Sequence, residues 1–152
     1  MPPRTVLWKA VAAGILALAL VVTVPACAKV EVPPPDAPPE LVVETYLKAI
    51  QAGNCTVLSQ LATRNQAEGA WCGKGLTISN ITIGDPEPDP GSIASRDFQQ
   101  AVYVPVRFDV QGGADSVESG MRDWGYVLVR DAAVQRWRIA DEGTKTQVTQ
   151  PG

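Results

Sequence analysis

The hydrophobic period of this chain changes once, near Cys72 and Gly73, and that change restricts the fold more than any other feature. Before it, Val43, Tyr46, Leu47 and Ile50 fall at i, i+3, i+4 and i+7, the spacing of one face of an α-helix. After it, Leu76 and Ile78, then Ile81 and Ile83, then Val102, Val104, Val106, Phe108 and Val110 alternate with polar residues, as in strands with one face on a core. With no helical pattern between the strands, the order predicts an α+β domain of two or three N-terminal helices packed on an antiparallel sheet.

Local signals set the predicted boundaries. Pro39 suits the first position of the first helix and Gly53 the position just past its end, while Glu40, Glu44, Lys48 and Gln51 take the wet side. Asn54 can cap a second helix on which Cys55, Leu58, Leu61 and Ala62 share a face, and a short third helical turn is expected from Asn65 to Ala70. The strand phase breaks at Ser79–Asn80, which predicts a bulge. Asp85, Glu87 and Asp89 alternate like calcium ligands, but each precedes a Pro. The extended threefold path this favours points them apart, so a solvated loop and no metal site are expected. In the Val102–Val110 strand, Tyr103, Pro105, Arg107 and Asp109 take the second face. Pro105 lacks a ladder donor and predicts an edge position or a bulge. Gln111 to Asp123 reads as a loop. The last unit reads as a hairpin of Trp124–Arg130 and Gln135–Asp141, with Leu128 opposite Trp137, Tyr126 opposite Ile139, and Arg136 and Arg138 on the outer side. The residues after Gly143 read as a polar, frayed tail.

Ahead of the domain, Arg4 and Lys9 precede an uncharged apolar run from Ala10 to Val24, which is about 15 residues and short of the roughly 20 needed to span a bilayer. This is the plan of a cleaved signal peptide over residues 1–26. Val24-Pro25-Ala26-Cys27 resembles a bacterial lipobox, which implies lipidation of Cys27 with palmitate-type chains. Pro25 departs from the usual small or aliphatic residue at its place. Ala26-Cys27-Ala28 also fits ordinary cleavage after Ala28 and a secreted product. The chain has three cysteines; with Cys27 acylated or removed, Cys55 and Cys72 are left to pair in an oxidising compartment. Residues 27–38 are rich in Pro and read as an extended tether of about 35–40 Å at ~3.1 Å per residue.

The composition excludes several functions. The formal charge of −3 becomes −5 without Arg4 and Lys9, so no nucleic acid partner is expected. The chain has no His, which removes the commonest general base and the usual zinc ligand; no cofactor is expected.

The opening helix PELVVETYLKAIQAGNC, the second Cys in AWCGKG and the ending WGYVLVRDAAVQRWRIADEG together resemble the nuclear-transport-factor-2-like superfamily, in the small exported lipoprotein form. The resemblance covers residues 39–143 and leaves 144–152 as the tail. It implies a conical fold with a cavity between helices and a curved sheet, but no single function. Trp71, Tyr103, Trp124, Tyr126 and Trp137 are the candidate pocket aromatics. No catalytic residue transfers from the family. Asp97, Asp109, Asp123 and Asp141 are the carboxylates near strands that could serve a cone-fold isomerase or hydratase. The reading preferred from sequence is a non-catalytic module outside the cytoplasm, held to the membrane by its lipid and binding an envelope protein or a small apolar ligand. An accessory structural domain is the third alternative.

Overall fold

The computed structural model describes residues 29–69, 71–112 and 118–149. The expected signal peptide and Cys27 lie outside the described residues, as do Ala70, part of the expected Gln111–Asp123 loop and the last residues of the tail. Helix α1 spans Pro39–Gln51, α2 Cys55–Leu61 and α3 Arg64–Gly69. Strands follow at Thr77–Ile83 (β1), Glu87–Pro88 (β2), Gln100–Gln111 (β3), Gly120–Arg130 (β4) and Arg138–Glu142 (β5). A short helix α4, Lys145–Val148, follows them. The domain is α+β, with an antiparallel sheet in the order β1-β3-β4-β5 and β2 beside β3.

The helical ends form as their residues dictate. Pro39 sits at the start of α1, where its missing N–H costs nothing, and Gly53 takes φ 61° just past the C-terminal end. Asn54 caps α2 by accepting the Val57 amide at 3.2 Å. The predicted α1 stripe is buried, and Val42 and Ala49 widen it. On α2, Val57, Leu58 and Leu61 are buried, whereas Cys55 is exposed and leaves the apolar face to pair with Cys72, with Cα atoms 5.4 Å apart. This disulfide ties the start of α2 to the segment that follows α3.

Val104, Val106, Phe108 and Val110 of β3, Tyr126 and Leu128 of β4 and Ile139 of β5 pack on the helices as the main core. The opposite sheet face is covered as well. Tyr103, Val127, Val129, Ala140 and Val148 form a second cluster with Ala94 and Phe98. The chain after Gly143, expected to fray, therefore belongs to the domain: Thr144 and Gln147 form a capping box and Val148 is buried against the sheet.

Four further sequence expectations change, the first being that β4 begins at Gly120, so Gly120–Asp123 belongs to a strand and not to the expected loop. Pro105 lies in a central strand, not at an edge. Its carbonyl accepts the Gly84 amide at 2.8 Å, so its donor-less nitrogen also turns to that side, between the end of β1 and the start of β2. No β3–β4 bond is lost. The hairpin register moves: Leu128 faces Ile139 and Tyr126 faces Glu142. Trp137 falls short of the ladder, with the Arg130 guanidinium 4.1 Å above its ring. Finally, Lys29–Pro38 is not a free spacer. Val30, Val32 and Ala37 join the main core, and the Pro33 carbonyl accepts from Arg136 at 2.9 Å. The expected bulge in β1 is present, with a register shift between Ser79 and Thr82 and Asn80 at φ 52°.

Candidate functional site

A second irregularity, in β5, builds the site. Leu128 faces Ile139 and Val127 faces Asp141, which leaves Ala140 with no opposite residue. Strict alternation from the inward Ile139 would turn Asp141 in and Glu142 out. The extra residue reverses this. Asp141 accepts from Ser92 Oγ at 3.1 Å on the outer face, and Glu142 enters the helix side opposite Tyr126.

Five side chains from four other segments meet Glu142 there. Trp71 donates its indole N–H to one carboxylate oxygen at 2.5 Å, and Gln66 of α3 donates to the other at 3.0 Å. Trp71 is held in place by its neighbour Cys72 and the disulfide. Trp124 meets the Trp71 ring edge to face at 6.1 Å; its Nε1 lies close enough to help hold the carboxylate ionised without making a well-formed hydrogen bond. Beneath, Tyr46 of α1 and Tyr126 of β4 pack edge to face at 5.5 Å. Both tyrosines are 0% exposed, and neither hydroxyl has a partner among the described residues. The rim residues Gln66, Trp71, Trp124 and Glu142 are only partly buried, so the group has a floor and an open side.

No cation pairs with Glu142 at contact distance among the described residues. Loss of solvation pushes its carboxyl up to about 7, against the pull of the Trp71 and Trp124 donors and of Lys74. Near neutral pH the group therefore holds a carboxyl divided between acid and carboxylate. The tyrosines stay neutral, because burial and then the nearby Glu142 raise both well above the ordinary phenol value. Such a set can anchor one polar group of a ligand, or pass a proton to and from it.

Of the five aromatics singled out from sequence, Trp71, Trp124 and Tyr126 meet here. Tyr103 lies on the opposite face, donating to the Gly143 carbonyl at 3.3 Å, and Trp137 packs elsewhere in the core. None of the four Asp is in the group. Asp97 is exposed, Asp109 accepts from Asn80 at 2.6 Å, Asp123 pairs with Arg107 at 2.7 Å and Asp141 faces outward. Arg130, Arg136 and Arg138 have separate neighbours: Trp137 and Gln100 for the first, Pro33 for the second, the Phe98 ring for the third. In the acidic loop Glu87 pairs with Lys145, and Asp89 accepts from Ser92 and Ser95. Glu142, Tyr46 and Gln66 were not singled out. The signal available for Glu142 was its place beside Asp141 at the end of a hairpin strand.

Fold and site together define an α+β domain with an acidic, aromatic-lined group between helices and sheet. No protein-family model, curated protein or solved structure matches the chain.

Proposed function

We propose that this is a membrane-tethered extracytoplasmic binding module with a nuclear-transport-factor-2-like cone, and that it holds a small, largely apolar molecule by one polar group at Glu142, Tyr46 and Tyr126. The observation that carries the reading is the pair of buried tyrosine hydroxyls with no partner among the described residues, beside a carboxylate that no cation among them contacts. Leaving a buried polar group unpaired costs on the order of 1–3 kcal/mol, and a ligand that supplies an acceptor recovers it. The leader and the lipobox-like Cys27 support export and tethering, and a disulfide between Cys55 and Cys72 suits an oxidising compartment.

The test is a melting-temperature screen of the mature protein against fractionated envelope extract. A ligand-bearing fraction should raise Tm for the wild type and markedly less for the Tyr46→Phe, Tyr126→Phe double variant. A screen with no shift in any fraction refutes the binding reading and favours an accessory structural domain.

Acid–base catalysis is a second reading, favoured by the position of the Glu142 carboxyl near neutrality. The base of a cone-fold isomerase or hydratase would then be Glu142 and none of the four Asp. A captured ligand that is chemically unchanged after prolonged incubation with wild-type protein would refute it.

A further inference from the structure

The N-terminal chain packs at the α1–α2 turn, beside a groove that reaches Trp71. Lys29 and Val30 line a hollow with Ala52, Gly53, Asn54 and Cys55 at the α1–α2 turn. A neighbouring groove of about 400 Å³ shares Ala52 and Gly53 with that hollow. Its remaining walls carry the apolar side chains of Ile50, Leu58 and Leu76 beside Trp71, Cys72 and the polar Gln51. Trp71 is thus common to the groove and to the Glu142 group.

The short reach from the anchor gives this placement its meaning. Cys27 precedes Lys29 by two residues, at most about 7 Å of extended chain. A lipid on Cys27 would hold the α1–α2 end of the domain against the bilayer, since the segment expected to act as a spacer is fastened to the core through Val30, Val32 and Ala37. The same end offers a partly buried tryptophan and the exposed Lys74, side chains that suit the interface and its anionic head groups.

We propose that the groove takes the apolar chain of an amphiphile from the membrane to which Cys27 is tethered, with the amphiphile's hydrogen-bonding end toward Glu142. The inference rests on the tethered-module reading and narrows its ligand to a molecule resident in the bilayer. Entry is lateral, past Trp71, and needs no passage through water.

The full chain, expressed with its leader in a bacterial host, is purified as the mature protein, checked by intact mass, and reconstituted in phosphatidylcholine–phosphatidylglycerol vesicles with brominated acyl chains. Subtracting the emission of Trp71→Phe from that of the wild type isolates Trp71. The expected result is loss of more than half of the Trp71 emission in brominated but not in plain vesicles. Leu76→Asp should abolish that loss, while Val134→Asp, altering a side chain that is 81% exposed elsewhere, should preserve it. Lipid-bearing protein whose Trp71 emission is the same in both vesicles overturns the inference and leaves the tethered module standing. A mature mass without lipid overturns both. Should Leu76→Asp misfold, the wild-type comparison alone decides.

Discussion

The two faces of the sheet each bring tyrosine and carboxylate together, and they treat the charge in opposite ways. On the outer face, Tyr103 lies beneath Lys145, Lys145 pairs with Glu87, and Arg107 pairs with Asp123 at 2.7 Å. Each carboxylate in those pairs has a cation and keeps substantial contact with solvent. On the inner face, Glu142 has two neutral donors and two phenols below it, and no cation in contact among the described residues. Charges in water cost little and contribute little, whereas a charge enclosed with neutral neighbours changes its proton affinity. The inner face is therefore the chemically poised one, although both are rich in aromatic and acidic residues.

The comparison is sharpened most by cutting the support of the inner group. Removing the disulfide in a Cys55→Ala, Cys72→Ala variant should cost about 3 kcal/mol, on the chain-entropy estimate for a short loop. Urea unfolding measures the loss. The same variant should let water back to Glu142 as Trp71 loosens. Because lost solvation is the largest cause of the raised value, the carboxyl should move down toward its ordinary range despite the weakened Trp71 donor, read by NMR titration of the side-chain carboxyl.

Next in size is the pH dependence of stability. Glu142 binds its proton more tightly folded, at about 7, than unfolded, at 4.5. Between those values the folded state holds the extra proton, so stability is greatest below about pH 4.5, falls as pH rises through the window and levels off above 7. After a discount for partial exposure, the fall attributable to this group is about 2 kcal/mol. Glu142→Gln should remove it and make the protein more stable than wild type at pH 8, by urea unfolding at matched ionic strength. A wild-type slope that persists in the variant would place the titration elsewhere.

On the outer face the sensitive point is steric. A Cβ on Gly125 would lie 2.3 Å from the Tyr103 ring, so Gly125→Ala should displace that ring from Gly143 and cost between about 1 and 2 kcal/mol. The Glu142 titration should stay unchanged. Smallest is Lys145→Ala, which removes an ion pair whose side chains are 55% and 41% exposed and should cost about 0.5 kcal/mol or less. A larger loss there, measured by thermal unfolding, would mean that the two faces are coupled.

Much of the fold was legible because local chemistry and packing agreed. The stripe from Val43 to Ile50, the Asn54 cap, the alternation of Val104 to Val110 and the pairing of Cys55 with Cys72 each follow from residue type and spacing. Pro105 misled because its missing donor mattered only if a partner strand stood beside it, and the gap between β1 and β2 is a tertiary fact. The tail misled because polar letters hid a capping box, Thr144 to Gln147, whose four-residue pattern was readable. Half of the candidate site was visible as Trp71, Trp124 and Tyr126. Its charged centre was not, since period-two reasoning assigns Asp141 to the inside and Glu142 to the outside.

That inversion hangs on a single unpaired alanine. Pairing Ala140 with Val127 would bring Asp141 opposite Tyr126 and turn Glu142 outward, exchanging two adjacent acids between the faces without altering either one, whereas deleting Ala140 would keep both acids where they are. Among sequences of this kind, the register of the last strand would be a better indicator of which acid faces the interior than the identity of either acidic residue.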